Sequence, residues 1–384
     1  MALTKIKIGL IALVLAGVAI TFVTQHQTEA RLREEIQSLR QRIAQLQNEN
    51  EGLSNRSTRA KWAWAPRLPA LPMEAAANAL PTEDLPSTNL YARFKDQAPK
   101  LTADQVEAFL KANGRKASSL LAAYRTSGDP ALLKEAMEKY PNDPHVAFEA
   151  AIGKDLPPEQ RREWLNAFKQ AAPENALANY LSAREYIKAG HMDQAVQEPS
   201  DASGKQALQD YTLERAQDDQ EAYLSAGYSA AEAERISLGW LELPQLGQVK
   251  QLGRDLIAMA NAYSQSGDQA SAQAVLQMAM NMGQRYADAP ANETLISKLM
   301  GMAVERLALD AMDPNSLSGG NGQTVQDQLN QITQQREAIR ELGGQAEPLM
   351  SAMSDQEMLN FENRRKLFGE LAAMQWVVSK YGQK

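Results

Sequence analysis

The apolar run from Ile8 to Val23 constrains this chain more than any other feature. Every residue in it is apolar, small or Thr, and Lys5 and Lys7 precede it. A helix over residues 6–24 would be about 28 Å long at 1.5 Å per residue, close to the ~30 Å hydrocarbon thickness of a bilayer. The run therefore predicts one transmembrane helix over residues 8–24.

A cleaved secretory signal is the alternative interpretation of this segment. Residues 17–19 form a weak cleavage site, but the apolar run continues to Val23, whereas the apolar part of a signal is usually shorter. We expect an uncleaved anchor, with residues 1–7 as a cytoplasmic tail and the bulk of the chain outside the cytoplasmic membrane, in the periplasm. Positive charges lie on both sides of the span, so the reverse orientation stays open.

The stretch behind the apolar run has the spacing of a coiled coil. Its core positions follow at alternating intervals of four and three: Leu32, Ile36, Leu39, Ile43, Leu46, Asn50 and Leu53. Ile at position a with Leu at position d favours a parallel two-stranded coil, and Asn50 at position a specifies register. We predict a self-associating coiled coil over residues 25–55. The alternative is one amphipathic helix packed on its own domain, because three heptads alone are marginal.

Residues 56–99 change in character and are rich in proline. The prolines are Pro66, Pro69, Pro72, Pro81, Pro86 and Pro99. Proline at close spacing breaks helices and favours an extended chain, so we predict a linker here. Trp62 and Trp64 are candidate partner-binding residues within it, although they could also anchor at the membrane interface or hold the linker on the following domain.

Composition excludes several classes of chemistry and of partner. The chain has no cysteine, which removes disulfides, thiolate metal sites and thiol catalysis. Residues 1–61 carry nine Lys or Arg and five Asp or Glu, a net charge of +4, so the remainder of a chain of net charge −7 carries −11. An acidic body repels phosphate, and we expect no nucleic-acid partner.

Helix boundary signals fill the remainder of the chain, and strand signals are nearly absent. Capping-box spacing occurs at Thr102/Gln105, Ser229/Glu232 and Ser354/Glu357, and a capping Asp precedes a first-turn Pro at Asp129-Pro130, Asp143-Pro144 and Asp313-Pro314. The predicted fold is all-α. It consists of the transmembrane helix continuing into the coiled coil, a helical domain over 100–312, a flexible linker over 313–324, and further helices over 325–384.

Three segments share a Tyr, a Gly four residues later and a small or apolar residue five further on. They are Tyr124/Gly128/Leu133, Tyr186/Gly190/Ala195 and Tyr263/Gly267/Ala272. This pattern resembles the tetratricopeptide repeat (TPR), in which one helix ends at the glycine and the next begins just beyond it. The resemblance implies an α-solenoid of helical hairpins that binds peptides or partner proteins along a concave groove.

The sequence contains no recognisable catalytic constellation. Its histidines are His26, His145 and His191, with no HExxH motif, and we expect no enzyme activity, cofactor or metal site. The acidic cluster Asp218, Asp219 and Glu221 could hold a cation weakly, but a solvated helix face is the commoner outcome. The methionines Met278, Met280, Met282, Met300 and Met302 could line an adaptable binding groove, but are more often core residues.

These features together predict a membrane-anchored, self-associating scaffold or adaptor in a bacterial cell envelope. Its partners would be itself, the membrane and an envelope protein or peptide. The first alternative is a membrane-tethered envelope hydrolase or lytic accessory enzyme, for which paired carboxylates in a deep pocket would be the sign. The second is a helical module of a secretion or signalling complex facing the cytoplasm.

Overall fold

The computed structural model describes residues 98–153, 156–289, 294–318 and 322–382. They form fifteen α-helices and no strand, which confirms the all-α prediction for this part of the chain. The helices are α1 Ala103–Asn113, α2 Ala117–Ser127, α3 Pro130–Lys139, α4 Pro144–Ile152, α5 Pro158–Ala171, α6 Leu177–Lys188, α7 Met192–Ser203, α8 Thr212–Ser225, α9 Ala230–Gly239, α10 Pro244–Gln265, α11 Gln269–Asp288, α12 Leu295–Asp310, α13 Val325–Ser351, α14 Asp355–Phe368 and α15 Glu370–Tyr381.

Several features predicted from the sequence lie outside the described residues. These are the transmembrane segment 8–24, the coiled coil 25–55, Trp62, Trp64 and His26. Among the described helices, none is both long and apolar enough to cross a bilayer. The anchor and the coil therefore stay predictions.

Side chains at the helix starts explain many of the boundaries. The three predicted capping boxes are formed at Thr102, Ser229 and Ser354. Asp129 and Asp143 accept backbone N–H groups at the starts of α3 and α4, as predicted. Each cap satisfies donors that have no partner within the helix.

The helix start predicted at Asp313-Pro314 is wrong. The Asp313 carboxylate accepts the N–H of Asn315 in a turn, and the next helix, α13, begins only at Val325. There Thr324 and Asp327 form a capping box that the sequence prediction had missed.

Three glycines produce the hairpins that the repeat pattern predicted. Gly128, Gly190 and Gly267 have φ of 78°, 77° and 87°, a left-handed conformation that glycine adopts at little cost. They follow α2, α6 and α10, and in each case the next helix begins two residues later. The local helix–turn–helix geometry is thus present, while the TPR resemblance itself stays a prediction.

Packing between helices also joins elements far apart in the chain. α2 packs against α8, α6 against α10, and α9 against α14. In a simple solenoid each repeat contacts only its neighbours, so these contacts make the domain more cross-linked than a linear stack. One hydrophobic core combines residues of α1 to α4 with residues of α8 and α9, including Leu110, Leu120, Leu121, Ala222 and Ile236.

α11 and α12 approach each other closely where they cross at two glycines. A Cβ atom added at Gly283 would lie 2.8 Å from the carbonyl oxygen of Gly301 and 2.4 Å from the backbone nitrogen of Glu305. Neither position has room for a side chain. Met280, Met282, Met300 and Met302 are buried on these two helices, so their assignment to the core is confirmed.

The fully buried Asp210 ties the segment before α8 to the later helices. One carboxylate oxygen accepts the hydroxyl of Tyr286, at 3.0 Å, and that of Ser297, at 3.4 Å. The other accepts the N–H of Thr212, at 3.1 Å. Burial, followed by the nearby Asp210 charge, raises the pKa of Tyr286 well above its usual value, so this hydroxyl remains a donor.

Candidate functional site

An open groove lies where the end of α4, the middle of α6 and the start of α10 meet. It has a volume of about 470 Å³ and is lined by Ile152, Arg184, Glu242, Leu243, Pro244, Gly247 and Gln248. Pro244 occupies the first turn of α10, where its missing N–H costs nothing and its fixed φ suits the helix. We call this feature the α10 groove.

The α10 groove combines an apolar wall with polar groups. Ile152, Leu243 and Pro244 supply the apolar surface. Arg184 lines the groove and its Nε is buried without a hydrogen-bond partner among the described residues. Gly247 lies on its exposed edge, and a Cβ added there would meet nothing within 4 Å. The groove therefore combines an apolar surface with the Arg184 side chain and an open backbone edge at Gly247.

A buried cluster of four charges supports one wall of the α10 groove. It consists of Arg125 on α2, Glu149 on α4, and Arg215 and Asp219 on α8, whose side chains are at most 8% exposed. Arg215 also donates to the carbonyl oxygen of Glu242, at 3.2 Å. This bond fixes the segment that leads into α10.

The geometry within the charge cluster is that of paired guanidinium and carboxylate groups. Glu149 Oε2 accepts Arg125 Nη1 and Arg215 Nε, both at 3.1 Å. Arg125 contacts Asp219 through Nε at 2.9 Å and Nη2 at 2.8 Å. Bidentate pairing of this kind compensates much of the cost of burying the charges.

Burial and pairing act in opposite directions on the pKa values of the cluster. Burial tends to raise the pKa of Glu149, but Arg215 and Arg125 outweigh it and the net pKa is lowered. Burial also raises the pKa of Asp219, to about 6, with Arg125 offsetting only part of the effect. For Arg125, burial is outweighed by Asp219 and Glu149, and its pKa is raised.

The structure corrects the interpretation of the acidic cluster at 218–221 as a solvated helix face. Asp219 is buried and held by Arg125, and burial raises the pKa of the partly buried Asp218. Glu221 alone of the three is exposed. Within the described residues, no group of three or more His, Asp or Glu is arranged to hold a metal ion.

His145 is half-buried and lies in the same region. Its ring lies 4.4 Å from that of Tyr211, and its Nδ1 lies 3.5 Å from the carboxylate of Asp143. The hydrogen bond to Asp143 raises the pKa of His145, against the opposing effect of burial. His191 is exposed and contacts Tyr186 edge-on, with ring centroids 6.4 Å apart.

A second, polar cavity of about 240 Å³ lies between α8, α9 and α14. Its polar residues include Glu214, Glu234, Arg365 and Lys366. Glu234 is buried, with Oε2 accepting from Lys366 Nζ at 2.9 Å and Oε1 lying 3.9 Å from Arg365 Nη2. These ion pairs hold α14 against α9.

Aromatic and cationic side chains share one surface of the α14–α15 hairpin. The guanidinium of Arg364 lies 5.3 Å from the ring centre of Phe368 and 5.4 Å from that of Trp376. Lys380 Nζ lies 4.8 Å from the Trp376 ring and 4.9 Å from the Tyr381 ring. We call these five residues, with the neighbouring Leu367, the C-terminal aromatic surface.

Sequence reasoning had missed the α10 groove and the C-terminal aromatic surface. Pro244 marks a helix start that can be recognised in the sequence. Ile152 and Arg184 reach the groove from other helices, and no sequence pattern around them indicates this. Residues 364–368 and 376–381 do show Arg or Lys at helical spacing from aromatic residues. No family model matches the chain, and comparison with curated proteins and with solved structures also gave no match.

Proposed function

We propose that this protein is a membrane-anchored, self-associating scaffold or adaptor of the bacterial cell envelope whose helical domain binds a partner protein through the α10 groove. The observation that carries the proposal is the groove itself, with its apolar wall and the buried Nε of Arg184. A bound segment would place an apolar side chain against Leu243 and an oxygen acceptor at Arg184. Such an arrangement provides both affinity and orientation.

The buried charge cluster supports this role because it makes the groove wall rigid. Arg215 holds the carbonyl of Glu242, and Glu149 holds Arg215 from α4, which also supplies Ile152. A preformed groove loses less conformational entropy when it binds than a flexible one does.

The predicted anchor and coil would place two such grooves side by side on one membrane. Two linked sites raise the effective concentration for a partner that is itself paired or repeated. We therefore propose that Leu32, Ile36, Leu39, Ile43, Leu46, Asn50 and Leu53 increase avidity as well as dimerise the chain.

Crosslinking in intact cells followed by identification of the attached proteins tests this function. Gly247→Arg would fill the groove without a clash, because a Cβ there has open space, and Gly344→Arg is the matched control on α13. The proposal predicts that a defined partner is lost with Gly247→Arg and retained with Gly344→Arg. Equal recovery with both variants would contradict it.

The coil is tested in the same cells with an Ile36→Asp, Ile43→Asp double variant. Charged residues at two core positions separate the helices of a coiled coil. We expect loss of the crosslinked dimer and weaker recovery of the partner. An unchanged dimer would show that these residues do not assemble the protein.

The hydrolase alternative has less support from the described residues. It requires two carboxylates able to act on a substrate, and the polar cavity does contain Glu214 and Glu234. However, Glu234 is held by Lys366 and lies near Arg365. A carboxylate engaged in this way serves to hold a helix in place rather than to transfer a proton.

A further inference from the structure

The C-terminal aromatic surface has exposed apolar residues next to one another, whereas exposed apolar residues usually occur singly. Leu367 and Phe368 are adjacent in the chain and are 73% and 60% exposed. Trp376 and Tyr381 adjoin them through Arg364 and Lys380. Contiguous exposed apolar residues that alternate with Arg are typical of a binding surface.

This surface is positively charged on an acidic protein. Arg364 contacts the rings of Phe368 and Trp376 and forms no ion pair with any described carboxylate. Lys380 lies over two rings, with Glu357 nearby. A segment that carries two adjacent carboxylates and an apolar side chain would complement both the charge and the exposed hydrophobic residues.

The start of the described chain and the face of α14 opposite Arg364 both contact α8. The carbonyl oxygen of Pro99 accepts the hydroxyl of Tyr223, at 3.0 Å, and Lys366 donates to Gln220, at 3.2 Å. Gln220 and Tyr223 are three residues apart on α8 and so lie on one face of it. The start of the described chain and α14 therefore meet the same turn of α8.

The sequence before Pro99 contains a segment with the required chemistry. Residues 80–86 read LPTEDLP, with adjacent Glu83 and Asp84 between two Leu-Pro pairs. Eleven residues separate Pro86 from Ala98, enough to span roughly 40 Å when extended. Proline-containing segments lose little entropy on docking to aromatic surfaces.

We propose that residues 80–86 bind the C-terminal aromatic surface of the same chain. Glu83 and Asp84 face Arg364 and Lys380, and Leu85 contacts Leu367 and Phe368. This contact holds the linker on the domain. Binding of residues 80–86 to this surface does not depend on partner binding in the α10 groove.

Disulfide trapping in the full-length membrane-bound protein tests the contact, because the natural chain has no cysteine. The test pair is Thr82→Cys with Ser379→Cys. The control pair is Thr82→Cys with Ser266→Cys. Ser379 and Ser266 are both exposed and both donate to the carbonyl three residues earlier.

We expect the test pair to form an intramolecular disulfide at least about tenfold faster than the control pair, because docking raises the effective concentration of the thiols. Adding Arg364→Glu and Lys380→Glu should reduce the rate to that of the control. Adding Glu83→Lys and Asp84→Lys to these changes should restore it.

Three outcomes would overturn the proposal. Trapping at the control rate would show that residues 80–86 do not occupy the surface. A covalent dimer on a non-reducing gel would assign the surface to a second copy. A trapping rate that is unchanged by the charge substitutions would show that Arg364 and Lys380 do not recognise the segment.

Discussion

Arg125 on α2 and Asp219 on α8 form a buried bidentate ion pair across 94 residues of chain, with Nη2 and Oδ1 2.8 Å apart. The pair lies where α2, α4 and α8 meet, and Glu149 shares the same arginine. It therefore links the hairpin at the start of the domain to α8, whose Arg215 supports the wall of the α10 groove.

Removing the Asp219 carboxylate should strongly destabilise the domain. Asp219→Ala leaves Arg125 buried without one of its two acids, and breaking a buried pair in this way costs about 3–5 kcal/mol. Glu107→Ala is the control, because Glu107 pairs with Arg115 while 65% exposed, and exposed pairs contribute at most about 1 kcal/mol. Urea unfolding followed by circular dichroism measures both, and similar losses would contradict the stabilising role of the buried pair.

A Gly→Ala substitution at the α11–α12 crossing should lower the stability of the domain, whereas the same substitution at Gly344 should raise it. Gly283→Ala or Gly301→Ala places a Cβ against backbone atoms at 2.3–2.8 Å, and such overpacking costs about 1–3 kcal/mol or more. Gly344→Ala on α13 meets nothing within 4 Å and should stabilise by about 0.5–1 kcal/mol. Thermal unfolding of the three variants gives the test. A stabilised Gly283→Ala protein would show that the helices do not touch there.

The His145 ring should titrate above its usual pKa of 6.5. Asp143 contributes most to this rise in the pKa, and Glu214 and Asp218 raise the pKa further. Burial lowers it. Because the folded pKa is the higher one, the stabilisation is complete below pH 6.5 and is lost as the pH rises through the folded value.

Asp143→Asn isolates the contribution of this carboxylate, since Asn can still cap α4. Its His145 pKa should fall relative to the parent protein. NMR titration of the imidazole protons, assigned with His145→Gln, provides the measurement. An unchanged pKa in Asp143→Asn would rule out the hydrogen bond as the cause.

The hydroxyl of Tyr286 should contribute more to the free energy of unfolding than that of Tyr140. Tyr286 donates to the buried Asp210 carboxylate, whereas Tyr140 donates to the neutral carbonyl of Arg115, at 3.0 Å. Hydrogen bonds to charged groups contribute about 1.5–3 kcal/mol and neutral ones about 0.5–1.5 kcal/mol. Tyr286→Phe should therefore lose more unfolding free energy than Tyr140→Phe, and the reverse order would contradict the role given to Asp210.

The features that could be predicted from the sequence depend on neighbouring residues. The capping boxes at Thr102 and Ser229 and the left-handed turns at Gly128 and Gly267 involve groups only a few residues apart. Their signals therefore survive without knowledge of the fold. Asp313 shows the limit of such signals, because its carboxylate caps a turn and not a helix.

The features that could not be predicted depend on distant residues. Nothing near Asp219 in the sequence indicates Arg125 as its partner, so three acids in four positions were interpreted as a solvated face. The α10 groove likewise joins Ile152 of α4, Arg184 of α6 and Leu243, which directly precedes α10. Both the ion pair and the groove depend on packing between distant segments, which cannot be inferred from a single sequence.

Site-specific photo-crosslinking shows whether a partner protein binds in the α10 groove. A photoreactive residue replaces Gln248 in the groove or, as the control, the exposed Gln273 on α11 of the full-length protein in intact cells. We expect one defined protein adduct from position 248 that is absent from position 273 and is lost when Gly247→Arg is added. No adduct from position 248, or the same adducts from both positions, would contradict a partner-binding groove.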